Sequence, residues 1–195
     1  MKILLTGFKP FLSEKINPSE ILSTDLSDDF EEVTSLILPV EFGNSFKILK
    51  EHLHKNCYEF VIMLGQAAGR QKISLEKIAL NWVQTEHRDE LGMLPLSDFI
   101  VKNEPLALMS EFPVNEVYAE LRKHDLPVEI SFSAGTFVCN DLYYRTLSDF
   151  KGLNSVFIHL PFIKEQAGSS AVKPYLELNE QKNVLTRILK FILKK

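Results

Sequence analysis

The sequence predicts an α/β fold, with residues 1–195 forming one domain around a mostly parallel twisted sheet that carries helices on both faces. Three observations support this. Short apolar runs alternate along the chain with stretches of helical spacing, the pattern of strand–helix–strand crossovers. Several of the runs are continuously apolar, as strands covered by helices on both faces require. No Pro/Gly/Ser-rich linker or shift in composition divides the 195 residues, a length that suits one well-buried core.

The elements follow in order. Residues 3–5 read as a short buried strand that opens at Thr6-Gly7 into a loop holding Phe8, Phe11 and Ile16. Two accounts of Phe8 and Phe11 are open: they pack the loop onto the core, or they line a pocket for an apolar or flat ligand. Asn17-Pro18-Ser19-Glu20 has the form of a helix start, with Asn17 as N-cap and Pro18 in the first turn. Residues 33–40 resemble a second strand ending at Pro39, and 45–53 have helical spacing. The run 60–64 is the clearest buried strand. It closes in the small-residue loop Gly65-Gln66-Ala67-Ala68-Gly69, at the carboxyl end where ligands collect in open α/β sheets. This loop lacks the Lys-Ser/Thr of a phosphate loop.

Residues 73–83 read as one strand with Glu76 near its start, where a solvent-facing charge is the ordinary outcome. Residues 85–108 read mostly as loop. Residues 114–123 are helical in spacing, and 127–132 alternate as a strand leading into Ser133-Ala134-Gly135-Thr136-Phe137-Val138-Cys139-Asn140. That stretch sets a cysteine between a small-residue turn and a helix over 138–147. Residues 155–160 form another buried strand, with His159 where it stops before Pro161, and a last helix covers about 179–193.

Composition excludes several function classes. Hydrophobic residues make up 45% and charged residues 25%, which indicates neither disorder nor a fibre. The net charge of -4 argues against a nucleic-acid or anionic-membrane surface as main partner. No run approaches the roughly 20 apolar residues that a spanning helix needs. The apolar start is too short for an export signal, so a cytoplasmic protein is expected. Two cysteines, Cys57 and Cys139, are poor evidence there for a disulfide and cannot alone hold a structural zinc.

Three polar residues stand out by location: Glu76, Cys139 and His159. A thiolate at Cys139 would sit at the positive end of a helix dipole, among free N–H groups that could also hold an oxyanion. A cysteine hydrolase needs a nucleophile, a base within reach, and a group that orients the base. From residues alone the set is one of several, and an inert buried cysteine and a satisfied core histidine are the commoner outcomes.

The chain resembles the pyroglutamyl peptidase I family, or pyrrolidone carboxyl peptidases, over nearly its whole length. The resemblance rests on five ordered motifs: Leu5-Thr6-Gly7-Phe8-Lys9-Pro10-Phe11 with Asn17-Pro18; Leu64-Gly65-Gln66-Ala67-Ala68-Gly69-Arg70; Leu75-Glu76-Lys77-Ile78-Ala79-Leu80-Asn81; the stretch from Ser133 to Asn140; and Phe157-Ile158-His159-Leu160-Pro161-Phe162 with Glu165-Gln166. It implies a cysteine omega-peptidase that cleaves the amide after an N-terminal pyroglutamate through a thioester. Cys139 would attack, His159 would act as base and then acid, and Glu76 would orient His159. It also implies a lactam pocket lined by Phe8, Phe11, Phe137 and Val138, with Asn17 and Gln66 meeting the ring's polar edge. No metal or organic cofactor is implied; a homo-oligomer is, since the family is often tetrameric in bacteria. A neutral ring suits flat apolar walls with a few hydrogen bonds.

Two positions depart from the family pattern. Glu86 stands where the family usually has an arginine thought to help hold the oxyanion, with Arg88 two positions on as a substitute if the loop shifts. Leu12-Ser13 stands where the family favours Gly-Gly. The segment from Trp82 to Glu90, poorly matched to the family, suggests a related cysteine amidohydrolase with altered specificity, and Glu86 within it suggests an impaired relative that binds a lactam or blocked peptide without cleaving it.

Overall fold

The computed structural model describes residues 1–12, 14–167 and 173–194, so Ser13 lies outside the described residues. The first strand, β1 (Ile3–Phe8), is buried at every position. It runs past the expected end at Thr6-Gly7 because Gly7 and Phe8 pair with Ile37 and Leu38 of β2 (Val33–Leu38). Glycine is required at that point. A Cβ on Gly7 would lie 2.2 Å from the Ser19 carbonyl oxygen, so its absence lets helix α1 (Pro18–Asp29) approach the strand. Asn17 caps that helix as expected, its side-chain oxygen accepting the Ser19 N–H at 3.0 Å.

Helix α2 (Asn44–Lys55) leads into β3 (Phe60–Gln66). The stretch expected as one strand over 73–83 is two, β4 (Ile73–Glu76) and β5 (Ile78–Leu80). The break is at Lys77, whose N–H goes to Ser131 in the main sheet while its carbonyl accepts the Ser110 N–H beside the second, smaller sheet. The chain therefore changes sheets at one residue. Strand β6 (Ala107–Met109), inside the segment expected as loop, pairs antiparallel with β5. Helix α3 (Val114–Arg122), β7 (Val128–Ser131), α4 (Val138–Asp149) and β8 (Asn154–Leu160) follow. A short α5 (Lys164–Ala167), not foreseen from spacing, and α6 (Leu178–Leu193) complete the order.

The main sheet has the order β2-β1-β3-β8-β4-β7. All its pairs are parallel except β4 with β8. Side-chain alternation then divides the core in two. Ile3, Leu5, Ile62, Leu64 and Ile158 face α1, α3 and α6. Leu4, Phe8, Val61, Met63 and Phe157 face α2 and α4. Each such side chain contributes about 1.5–3 kcal/mol on leaving water, which holds both helical layers on the sheet. Among the described residues no helix is long and apolar enough to cross a membrane.

Candidate active site

The nucleophile candidate lies on the α4 side of the sheet. The turn before α4 contains Gly135 at φ +80°, a conformation that costs glycine least. Phe137 caps the helix without a side-chain bond, and Cys139 is its second residue. The first helical bond runs from the Asp141 N–H to the Phe137 carbonyl at 3.1 Å, so the N–H groups at the start of α4 have no acceptor within the helix. Both cysteines are free thiols.

Gly65, near the end of β3, lies under the sulfur. A Cβ there would be 3.1 Å from Cys139 Sγ and 2.6 Å from Phe157 Cζ. Gly65 is also the register partner of His159 across the parallel β3–β8 pair. Paired residues in parallel strands project to the same face, so the sulfur and the imidazole share one face of the sheet.

Glu76 is wholly buried, not solvent-facing as its position in the sequence suggested. It lies opposite Phe157 across the antiparallel β4–β8 pair, while Ser74 lies opposite His159. That makes Glu76 the diagonal neighbour of His159, within reach of a long side chain. Glu76 Oε1 is 2.8 Å from His159 Nδ1. A carboxylate there accepts a hydrogen bond from Nδ1–H, which leaves Nε2 of a neutral ring as the basic nitrogen.

Burial holds the His159 imidazole below its ordinary range, with the Glu76 hydrogen bond and charge opposing and Arg70 adding to the decrease. Burial also pushes the Cys139 thiol up to about 12, and the Glu76 charge adds to the rise. Desolvation thus outweighs the helix dipole that the sequence suggested would favour a thiolate. Burial favours the uncharged thiol and the neutral imidazole at rest, so an attack by this sulfur would require its proton to move.

Arg70 belongs at this site although the sequence reading gave it no role. Its Nη1 is 2.8 Å from Glu76 Oε1. The available signal was a cation closing the small-residue loop beyond β3.

The candidate ring-binding residues divide by environment. Phe8 and Val138 are buried in the core below the site, Phe8 against the Phe157 ring at 6.5 Å. Phe11 stacks on Phe137 at 6.2 Å, and Phe42, which sequence reasoning missed, meets Phe137 edge-on at 5.2 Å. Nothing in the spacing of Phe42 distinguished it from an ordinary core aromatic. Asn17 is buried and occupied internally: its oxygen caps α1 and its Nδ2 donates to the Lys9 carbonyl at 3.1 Å, which fastens the Phe8–Phe11 loop. Gln66 Oε1 accepts from Gln166 Nε2 at 2.7 Å, and Gln66 Nε2 has no partner among the described residues.

The segment after β5 is tied to the turn before Cys139: Gln84 N donates to the Thr136 carbonyl at 3.2 Å and Thr136 Oγ1 to the Gln84 carbonyl at 2.6 Å. Glu86 is exposed. Arg88 Nη1 donates to the Gly92 carbonyl at 2.7 Å within its own loop. Leu12 adopts φ +56°, a left-handed conformation that costs a residue with a Cβ about 1–2 kcal/mol.

Residues 1–194 match the family model for pyroglutamyl peptidase. A pyrrolidone-carboxylate peptidase of Thermosipho melanesiensis is 37% identical over 199 residues, covering 99% of this chain and 98% of that protein. The crystal structure of a pyrrolidone carboxyl peptidase from Fervidobacterium islandicum aligns over 100% of this chain and 99% of that one, with a TM-score of 0.92 and 33% identity. Pyroglutamyl peptidase I from Bacillus amyloliquefaciens aligns over 96% and 92%, with a TM-score of 0.90 and 32% identity. With a family match over nearly the full length and a shared fold at this identity, the chain belongs to the pyroglutamyl peptidase family.

Proposed function

We propose that this cysteine omega-peptidase hydrolyses the amide after an N-terminal pyroglutamate with Cys139 as nucleophile, His159 as proton carrier and Glu76 as the group that orients His159. The observation that carries the assignment is the 2.8 Å Glu76–His159 contact on the same sheet face as the Cys139 sulfur. Cys139 Sγ bonds to the amide carbon as its proton passes to His159 Nε2. The carbonyl electron pair moves onto oxygen, where the free N–H groups at the start of α4 stabilise it. The tetrahedral species collapses by breaking the C–N bond, and the departing amine takes the proton from His159. Water then gives a proton to His159 and attacks the thioester, which releases pyroglutamate and restores the thiol.

In this reading the lactam ring lies against the Phe11–Phe137 aromatic pair, with Phe8 and Val138 supporting the floor. Gln66 Nε2 is available to a ring carbonyl, and Asn17 holds the Phe8–Phe11 loop in place. A ligand with a free amine instead of the lactam would leave such a polar group unpaired, which supplies selectivity. A cytoplasmic, homo-oligomeric enzyme acting on pyroglutamyl peptides belongs to the same reading, on family resemblance.

Exposed Glu86 and internally bonded Arg88 favour a second reading, a member with altered or weakened turnover. One missing oxyanion donor costs roughly 3 kcal/mol in other enzymes. One assay separates these readings. Purified protein should release the reporter from a pyroglutamyl anilide, and thiol alkylation should abolish release. Cys139→Ser should lower kcat by several orders of magnitude. Retained turnover in Cys139→Ser would reject the nucleophile assignment, and wild-type binding of pyroglutamate without turnover would favour the second reading.

A further inference from the structure

Arg70 is placed to act on two parts of the site at once. It follows Gly69, whose φ of +83° turns the chain out of β3 toward β4. Its guanidinium divides between two acceptors: Nη1 lies 2.8 Å from Glu76 Oε1, and Nη2 donates to the Ser133 carbonyl at 3.3 Å. Oε1 is also the oxygen that meets His159 Nδ1, whereas Glu76 Oε2 is buried without a partner among the described residues. One arm therefore holds the carboxylate that orients the base. The other holds the turn that leads into α4 and Cys139.

We propose that Arg70 is a positioning residue for the peptidase reaction, compensating the buried charge of Glu76 so that His159 rests as a neutral base while the Cys139 turn is held in place. The proposal rests on the catalytic roles assigned above. A carboxylate removed from water needs a paired cation or a proton. Without Arg70 the nearest cation would be His159 itself as imidazolium, and an imidazolium cannot take the thiol proton.

The other titratable groups around Glu76 and His159 do not replace it. From α4, the Tyr143 hydroxyl donates to the Glu76 backbone carbonyl at 2.8 Å, and the Cys139 thiol is neutral at rest. From β7, Glu129 Oε1 accepts from Ser74 Oγ at 2.7 Å, opposite His159, and adds negative charge. The Arg70 charge acts to lower both the His159 and the Cys139 proton affinities, in keeping with this role. Arginine suits the position because its planar fork reaches two acceptors in fixed geometry, which a lysine ammonium cannot do equally well.

The test uses Arg70→Gln and Arg70→Lys in the full chain, with thermal melts as a check of folding. Two quantities are measured against pH: kcat/KM on a pyroglutamyl anilide, and the His159 imidazole titration by NMR. In Arg70→Gln the His159 midpoint and the acid limb of kcat/KM should both rise by about one pH unit or more. At the old midpoint kcat should fall about fivefold, with KM changed far less. Arg70→Lys should keep both midpoints near wild type, because the charge remains, yet lose part of kcat with the fork.

An unmoved His159 midpoint in Arg70→Gln overturns the proposal. Should Arg70→Gln fail to fold, Arg70→Lys decides, and an unchanged kcat in it overturns the proposal. A wild-type protein without turnover would instead reject the catalytic reading. The NMR titration would then decide the part played by Arg70 independently.

Discussion

Gly65 is the residue at which sequence and site geometry meet most tightly. Its hydrogen occupies the space between the sheet, the Cys139 sulfur and the Phe157 ring. Gly65→Ala should lower the melting temperature, because a methyl group forced into a filled site typically costs about 1–3 kcal/mol. It should also lower kcat, since relief by moving Sγ takes the proposed nucleophile out of its place on the His159 face of the sheet. Wild-type kinetics in Gly65→Ala would show that the sulfur has more room than the geometry allows. The candidate nucleophile was legible in the sequence because a strand, a small-residue turn and a helix start are local features. Its protonation state was not, because desolvation of Cys139 depends on which distant chain segments cover it.

At the level of elements, Asn140 joins α4 to the smaller sheet. Its Oδ1 accepts the Leu80 N–H at 2.9 Å, and its Nδ2 donates to the carbonyls of Leu80 at 2.8 Å and Trp82 at 3.1 Å. One side chain thus completes backbone bonding that β5 does not obtain from β6. Asn140→Ala should cost about 1–3 kcal/mol for each buried group left unpaired, read as a fall in denaturant midpoint. Turnover should fall as well, because Asn140 adjoins Cys139 at the helix start. A variant as stable and active as wild type would remove Asn140 from this role. The helices were readable from apolar spacing and from the cap at Asn17. The change of sheets at Lys77 was not, since the apolar alternation through Ile78 and Leu80 continues across it and only the partners differ.

For the whole molecule, burial of Cys139 and His159 makes stability depend on pH at both ends. His159 is held below 6.5 in the fold, so the unfolded chain binds that proton at higher pH than the folded chain does. Its contribution to stability is therefore present above about 6.5 and is lost as pH falls through the window below. The thiol is raised from 9.0 to about 12, so its contribution is present below 9.0 and is lost as pH rises toward 12. Melting temperatures measured across pH should fall on both sides. The acid slope should flatten in His159→Gln and the alkaline slope in Cys139→Ala, and slopes unchanged in both variants would contradict this origin.

The sequence by itself determined the α/β class, the position of most elements, the family and the candidates Glu76, Cys139 and His159. These follow from local periodicity, turn chemistry and motifs read in order. Only the tertiary structure decided that β4 runs antiparallel to β8, which makes Glu76 the diagonal neighbour of His159. It also decided that Arg70 shares the oxygen used by His159, that Phe42 packs against Phe137, and that Arg88 is bonded within its own loop. The physical reason is that strand partners, ion pairs and desolvation arise between segments far apart in the chain, where no local spacing records which partner is chosen.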